Sequence, residues 1–201
     1  MIHARDASIS PVIGNRGNLR DVSADEANVL CTQCGLCCDG TFYGSVVVAE
    51  GEGGEGLGGE VPRLERIGLR IVRDDAGTPA MPQPCSALRD RLCAVYSDRP
   101  KACGDYQCLL RKKLAASECT FVDAVADVKR MRELLATIRV AFECPDTMSI
   151  WERILAMEEP TTPEAALEAS RKYAAGIAAV GELLAVGRAS FEPRFAGGGA
   201  R

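Results

Sequence analysis

Four cysteines within eight residues constrain this chain more than any other feature. Cys31, Cys34, Cys37 and Cys38 form the pattern C-x2-C-x2-C-C. A C-x-x-C turn lets two thiolates bend toward one metal, with the intervening backbone N–H groups directed at the sulfurs. Gly35 suits such a tight turn. A second block of cysteines comprises Cys85, Cys93, Cys103 and Cys108. The spacing predicts a metal site built from thiolates.

Composition removes most other chemistries. The 201 residues include ten cysteines and a single histidine, His3, which nearly excludes Ser-His-Asp triads, Cys-His dyads and His-rich zinc sites. The net charge of −4 gives no overall attraction to nucleic acid or to an anionic membrane. We find no secretory segment at the N-terminus and no uninterrupted apolar run of 18 residues. We therefore expect a soluble, cytoplasmic protein with no nucleic-acid or membrane partner, whose cysteines are metal ligands or redox thiols rather than disulfides.

The adjacent pair Cys37 and Cys38 bears on the kind of metal site. The first three cysteines resemble the C-x2-C-x2-C of ferredoxins, but the fourth ferredoxin position, C-x3-C-P, is replaced by Cys38. Adjacent side chains diverge, so we expect Cys37 and Cys38 to bind different metal atoms. This indicates a polynuclear cluster or two neighbouring sites. Four plus four cysteines suffice for two four-thiolate sites, or for one cluster with cysteines left over.

Basic residues accompany the second cysteine block. Seven basic residues and three acids lie between Arg89 and Lys113. We interpret this excess as counter-charge to the thiolates, although a solvated helix face explains Arg111–Lys113 equally well. Cys119 and Cys144 lie beyond the block, and we interpret them as small buried side chains rather than ligands.

The segment from residue 31 to about 108 resembles the CxxCxxCC, or YkgJ-type, cysteine-cluster family. The resemblance rests on the first cysteine block, on Pro84-Cys85-Ser86-Ala87-Leu88, and on Cys93-Ala94-Val95-Tyr96-Ser97-Asp98-Arg99-Pro100-Lys101-Ala102-Cys103. One departure is Gly104-Asp105-Tyr106, where the family has Arg-x-Phe; Tyr106 can replace the aromatic residue, but the arginine is lost.

This resemblance implies a zinc- or iron-chelating domain, and the family includes flagellin lysine N-methylase. It implies seven cluster cysteines, to which we add Cys108 because it lies close in sequence. The seven are Cys31, Cys34, Cys37, Cys38, Cys85, Cys93 and Cys103. Tyr96, Arg99 and Pro100 are then expected to surround the cluster and support its ligands.

The glycine-rich stretch at 50–60 imitates a nucleotide-binding loop. It contains G-x-G-x-x-G twice and also imitates the first motif of a methyltransferase that uses S-adenosylmethionine (SAM). The helix that should follow would contain Gly58, Gly59 and Pro62, and the glutamates would repel a pyrophosphate. We interpret the stretch as a flexible acidic loop.

The rest of the pattern predicts an α+β, helix-dominated fold. We expect a polar leader (1–28), a loop-rich cysteine-cluster module with short strands (29–118), C-terminal helices (119–188) and a disordered tail (189–201). Strands are predicted at 41–49 and 68–73. Helices are predicted from a capping box at Thr120 to about Phe142, over 149–158, and from Thr162 to about Gly187.

Three functions remain open at this level. The first is an iron–sulfur protein, with a cluster such as 4Fe–4S, for electron transfer, metal handling or sensing; zinc is the alternative metal. The second is a SAM-dependent lysine N-methylase, by resemblance only. The third is a zinc-stabilised module whose C-terminal helices bind a protein partner. No acid/base constellation stands out, so catalytic residues stay unassigned.

Overall fold

The computed structural model describes residues 19–49 and 59–192. It confirms an α+β fold in which helices dominate and the strands are short and antiparallel. The helices are α1 (Leu19–Cys34), α2 (Glu60–Arg66), α3 (Lys101–Asp105), α4 (Leu109–Ala115), α5 (Phe121–Ala141), α6 (Ile150–Leu155), α7 (Pro163–Lys172) and α8 (Ala174–Val186). The strands are β1 (Ser45–Val47), β2 (Val72–Arg73), β3 (Pro79–Pro82), β4 (Leu88–Arg89) and β5 (Leu92–Cys93).

The strands form a three-stranded sheet and a separate hairpin. In the sheet, β3 lies between β1 and β2, with Val46 opposite Met81 and Val72 opposite Ala80. The hairpin pairs β4 with β5 and places Leu88 opposite Cys93. Both predicted strands exist but are shorter than expected. The first begins only at Ser45, because Thr41 is held in a turn by hydrogen bonds from its N–H and hydroxyl to Asp39 Oδ1.

The described part of the chain has two apolar cores. The sheet-side core consists of Val48, Leu64, Leu69, Met81 and Ala87. The helical core is larger and is centred on α5, whose buried face includes Met131 and Ile138, both fully inaccessible to solvent. Helices α1, α4, α6 and α8 all contact α5. The cysteine-bearing segments lie between these two cores.

The helix ends after residue 119 follow the sequence signals. Thr120 Oγ1 accepts a hydrogen bond from the N–H of Asp123, whose carboxylate accepts the N–H of Thr120 in return. Ser149 and Glu152 form the same reciprocal capping box at α6. Thr162 caps α7, with Pro163 as its first residue. These three predicted helix starts are confirmed.

The last predicted helix is interrupted. Tyr173 ends α7 and α8 begins at Ala174, so that the expected single helix becomes two. The tyrosine ring stacks on Phe142 with centroids 5.3 Å apart, and Gly176 lies directly against the end of α5. Packing against α5 therefore determines where the chain turns.

Two expectations about chain order need correction. The leader predicted over 1–28 is wrong from Leu19 onward, where α1 begins; Pro11, Gly14 and Gly17 all precede that residue. The tail predicted from 189 is wrong up to residue 192, because Gly187–Phe191 forms a π-helical turn that buries Phe191. Residues 1–18 and 193–201 lie outside the described part of the chain.

A helix also follows the glycine-rich stretch, contrary to expectation. Pro62 is the third residue of α2, where its missing N–H has no helical partner to lose. The glycine-rich residues 50–58 themselves lie outside the described ranges.

Among the described residues, one helical segment is apolar enough to span a membrane by length and composition. Ala174–Phe191 has a mean hydropathy of 1.3 over 18 residues. Its face toward α5 buries Gly176, Ala179 and Leu183. Glu182 of this segment also forms an ion pair with Arg130 of α5, with a 2.8 Å hydrogen bond from Nε to Oε1. These contacts describe a helix that packs on the helical core.

Candidate functional site

The first cysteine block lies where α1 ends. Cys31 and Cys34 occupy the last turn of that helix, and a tight turn follows in which the N–H of Cys38 donates to the carbonyl of Gly35 at 2.9 Å. Gly35 adopts a φ of +70°, a left-handed conformation that favours glycine. The chain thus reverses direction between Cys34 and Cys37, as the C-x-x-C pattern predicts.

The second block is brought to this turn by the hairpin and the short helices. Cys85 follows β3, Cys93 ends β5, Cys103 lies in α3 and Cys108 precedes α4. The N–H of Cys85 donates to the carbonyl of Cys38 at 2.7 Å, so the two blocks are joined directly. The hairpin turn at Asp90 and Arg91 has two positive φ angles, as in a type I′ turn.

One set of thiols faces the helical core. Cys34, Cys37 and Cys108 pack against that core, and Cys31 lies beside them at the surface. Burial raises the pKa of Cys34 to about 12, and the nearby thiols of Cys108 and Cys31 raise it further. The pKa of Cys37 is likewise raised by burial, then by Cys34 and Cys108. We call Cys31, Cys34, Cys37 and Cys108 the helix-side thiols.

A second set faces the sheet. Cys85 and Cys103 pack against the sheet-side core. Burial raises the pKa of Cys38, and the thiols that raise it further are Cys85, Cys93 and Cys103, followed by Cys31. Burial also raises the pKa of Cys103 to about 12, again with Cys85 and Cys93 as the neighbouring thiols. We call Cys38, Cys85, Cys93 and Cys103 the sheet-side thiols.

Backbone N–H groups point at several of these sulfurs. Cys108 Sγ accepts a hydrogen bond from the N–H of Arg111 at 3.4 Å, and Cys85 Sγ accepts one from Ala87 at 3.4 Å. The N–H of Leu36 donates a hydrogen bond to the Cys34 thiol and lowers its pKa, although burial outweighs this effect. Such donors favour the thiolate over the thiol and orient the sulfur lone pairs. Of these donors, the N–H of Leu36 is the one expected from the C-x-x-C turn.

Each set of thiols has arginines beside it. Arg132 of α5 donates from Nη2 to the carbonyl of Cys34 at 3.1 Å, and Arg111 lies next to Cys108. On the sheet side, Arg89 lies near Cys85 and Arg99 near Cys103, and each lowers the pKa of its neighbour against the larger effect of burial. The basic excess of the second block is thus partly directed at the thiols.

A cavity of about 70 Å³ lies among the helix-side thiols. It is several times larger than the roughly 10–15 Å³ that one water molecule needs by this measure. All four helix-side thiols line it together with Cys38, and Leu36, Phe42 and Phe191 contribute apolar walls. The space is therefore bordered by sulfur on one side and by hydrocarbon on the other.

The residues expected to support the cluster lie around Cys31 and Cys103. The Tyr96 hydroxyl lies beside the Cys31 thiol and donates to Asn28 Oδ1 at 3.4 Å. The Arg99 guanidinium covers the Tyr96 ring at 3.9 Å from its centroid. Pro100 is buried and precedes α3, the helix that carries Cys103.

Sequence reasoning missed three residues near the helix-side thiols. Asn28 accepts hydrogen bonds from both Tyr96 and Arg111, and its side chain bridges α1 to the second cysteine block. Arg132 lies off the apolar stripe of α5, yet it is half-buried, and its Nε has no hydrogen-bond partner among the described residues. Tyr43 meets Tyr106 edge-on with ring centroids 5.3 Å apart. No spacing rule connects these residues to the cysteines.

Within residues 26–49 and 59–192, no three or more Cys, His, Asp or Glu side chains are arranged so that they could hold a metal ion as placed. All ten cysteines are free thiols. The chain matches no protein-family model, no curated protein and no solved structure. The resemblance to the CxxCxxCC family therefore stays a prediction.

Proposed function

We propose that the chain binds metal through its eight clustered cysteines, with an iron–sulfur cluster favoured over zinc. One observation carries this proposal. Eight thiols from the α1 turn, the β3–β5 region and α3–α4 collect around one pair of adjacent residues, Cys37 and Cys38. A protein of this kind serves electron transfer, metal handling or sensing. Thiolates are the common ligands of iron–sulfur clusters and of structural zinc.

The cavity favours a cluster over a single ion. Around zinc, four thiolate sulfurs meet the metal at about 2.3 Å, which leaves no empty space between them. The helix-side thiols instead border a volume of about 70 Å³. A polynuclear cluster holds its thiolate ligands further apart, with iron and sulfide between them. The size of this space therefore supports iron and sulfide as the bound group.

The chain's own residues would set the properties of such a cluster. The sulfurs of Cys85 and Cys108 accept hydrogen bonds from backbone N–H groups, and arginines lie nearby. Both kinds of neighbour favour the charged, ligating form of the thiols. Leu36, Phe42 and Phe191 are each at most 4% exposed and line the cavity beside the helix-side thiols, of which Cys31 is open to solvent. Hydrogen bonds to sulfur, net charge and solvent exposure are the factors that tune reduction potential.

The test is anaerobic purification of the full-length chain, with iron, zinc, acid-labile sulfide and the absorption spectrum measured on one sample. Brown protein containing iron and sulfide, with broad visible charge-transfer absorption, is the expected result. Cys108→Ser should reduce the iron and sulfide content, whereas Cys119→Ser, as the matched control, should not. Protein without iron, zinc or sulfide under these conditions overturns the proposal.

Colourless protein with stoichiometric zinc would replace the iron–sulfur assignment with a zinc-stabilised interaction module. The C-terminal helices give that alternative its support, because Leu167 and Ile177 are each 53% exposed. Titration of SAM into the same sample tests the methylase suggested by resemblance: repeated absence of binding removes that function and leaves the metal assignment intact.

A further inference from the structure

We infer that the eight thiols form two separate four-thiolate metal sites, with Cys37 in one site and Cys38 in the other. Site one is Cys31, Cys34, Cys37 and Cys108, and site two is Cys38, Cys85, Cys93 and Cys103. This inference rests on the proposed metal-binding function and specifies its ligands. The sequence also leaves open a single cluster with surplus cysteines, and the inference excludes that alternative.

The first argument is that several members of the two sets pack against different cores. Cys34, Cys37 and Cys108 pack against the helical core, whereas Cys85 and Cys103 pack against the sheet-side core. The division falls between two consecutive residues: Cys37 packs against the helical core, whereas the backbone carbonyl of Cys38 accepts the N–H of Cys85. A single site would require thiols anchored in both cores to meet at one point.

Backbone contacts hold the members of site two together. The N–H of Cys85 bonds to the carbonyl of Cys38 at 2.7 Å. The N–H of Ala94 bonds to the carbonyl of Ala87 at 2.9 Å, which extends the β4–β5 hairpin and keeps Cys93 close to the Cys85 segment. Cys103 joins them from α3, which contacts β1. The Cys85 segment, the hairpin and α3 thus bring three of these thiols into the neighbourhood of Cys38.

Site one is held together by helices. Cys31 and Cys34 are three residues apart on α1 and therefore share a face. Cys108 directly precedes α4, which packs against α1. The Arg111 side chain bonds to Asn28 Oδ1 at 3.1 Å and fixes the start of α4 beside the end of α1. Helix α1 also contacts β5, which carries Cys93, so the two sites are neighbours.

Charge is divided in the same way. Arg111 and Arg132 lie beside site one, and Arg89 and Arg99 lie beside site two. Four thiolates around one metal centre carry a large negative charge, and nearby cations reduce the electrostatic repulsion among them. Each site therefore has its own pair of arginines, which a single shared site would not require.

Paired substitutions in the full-length chain test the division. Cys34→Ser with Cys108→Ser removes two ligands from site one, and Cys38→Ser with Cys85→Ser removes two from site two. Cys34→Ser with Cys85→Ser removes one ligand from each site. Two separate sites predict about half of the wild-type metal for each same-site pair and almost none for the cross-site pair. One shared site predicts equal metal content in all three double variants and would overturn the inference.

Native mass spectrometry of the anaerobic wild-type protein keeps the test decisive if a double variant does not fold. Two metal centres per chain, removed in two steps by a chelator, are expected. A single centre per chain would overturn the division but leave the metal-binding function standing. Absence of any bound metal would instead contradict the function itself, so the two failures are distinguishable.

Discussion

Gly35 and Arg91 approach so closely that a Cβ atom on Gly35 would lie 2.8 Å from the backbone carbonyl oxygen of Arg91. Gly35 is the first residue after α1, and Arg91 is in the turn of the β4–β5 hairpin. The contact brings the hairpin against the turn between Cys34 and Cys37. A residue with no side chain is therefore required where the two cysteine blocks meet.

Gly35→Ala is expected to destabilise the protein and to lower its metal content. The substitution adds a clash with rigid backbone to the cost of a left-handed φ, which together should lower the free energy of unfolding by on the order of 3 kcal/mol. Gly68→Ala is the matched control, because Gly68 has a φ of +88° and no atom within 4 Å of a Cβ at that position. The control should cost about 1–2 kcal/mol. Urea denaturation measures both, and equal losses would contradict the close approach.

Sequence reasoning recovered the elements that local signals determine. The capping box at Thr120, the predicted helix over 149–158 and the proline at Pro163 place helix starts within a residue or two. The β4–β5 hairpin escaped prediction because its turn, Asp90-Arg91, has none of the glycines that usually adopt positive φ. The break at Tyr173 escaped it as well, because its cause is packing against Phe142 of another segment.

The candidate site shows the same limit. The spacing at 31–38 predicted a turn with backbone N–H groups on sulfur, and the divergence of Cys37 and Cys38 raised the idea of two sites. Which distant cysteine joins which set depends on the two cores, and these are defined only when α1, α4 and the hairpin assemble. Cys108 is the clearest case: it follows Cys103 by five residues, yet it lies with the helix-side thiols.

The contact between α5 and α8 gives a second prediction. A Cβ on Gly176 would lie 2.7 Å from Ala141 Cβ and 2.7 Å from Phe142 Cε2. Gly176→Ala should therefore overpack the interface and lower the free energy of unfolding by about 1–3 kcal/mol. Gly181→Ala in the same helix meets nothing within 4 Å and should be neutral or stabilise by up to about 1 kcal/mol. Opposite shifts in the urea midpoint are expected, and a stable Gly176→Ala variant would refute the tight packing.

The capping box of α5 gives a third prediction. Thr120→Ala removes the hydroxyl that accepts the N–H of Asp123 and should cost about 1 kcal/mol of stability. Thr137→Ala in the same helix is the control, because the Thr137 hydroxyl only donates back to the carbonyl of Glu133. That control should change stability little. Similar losses in thermal unfolding for both variants would show that the cap contributes nothing specific.

The same box predicts a pH dependence. Hydrogen bonds from the Thr120 hydroxyl and N–H lower the pKa of Asp123 below its ordinary value. Because the pKa of this carboxyl is lower in the folded than in the unfolded state, its ionised form stabilises the fold. This contribution is complete above the unfolded-state pKa, about 3.9, and is lost as the pH falls through the folded-state pKa. Asp123→Asn should therefore lose stability relative to wild type near neutral pH, and the difference should shrink in acid. A difference that is independent of pH would contradict this assignment.

The two remaining cysteines are expected to have no part in metal binding. The charges that act on Cys119 belong to Asp123 and Lys113, and Cys144 is 8% exposed with its sulfur 3.4 Å from Arg139 Nη1. Neither pKa is shifted by a neighbouring thiol among its main causes, unlike those of Cys34, Cys37, Cys38 and Cys103. Cys119→Ser and Cys144→Ser should therefore retain the full iron and sulfide content, while Cys108→Ser should fall to about half. Loss of metal in either of the first two variants would add that residue to a site.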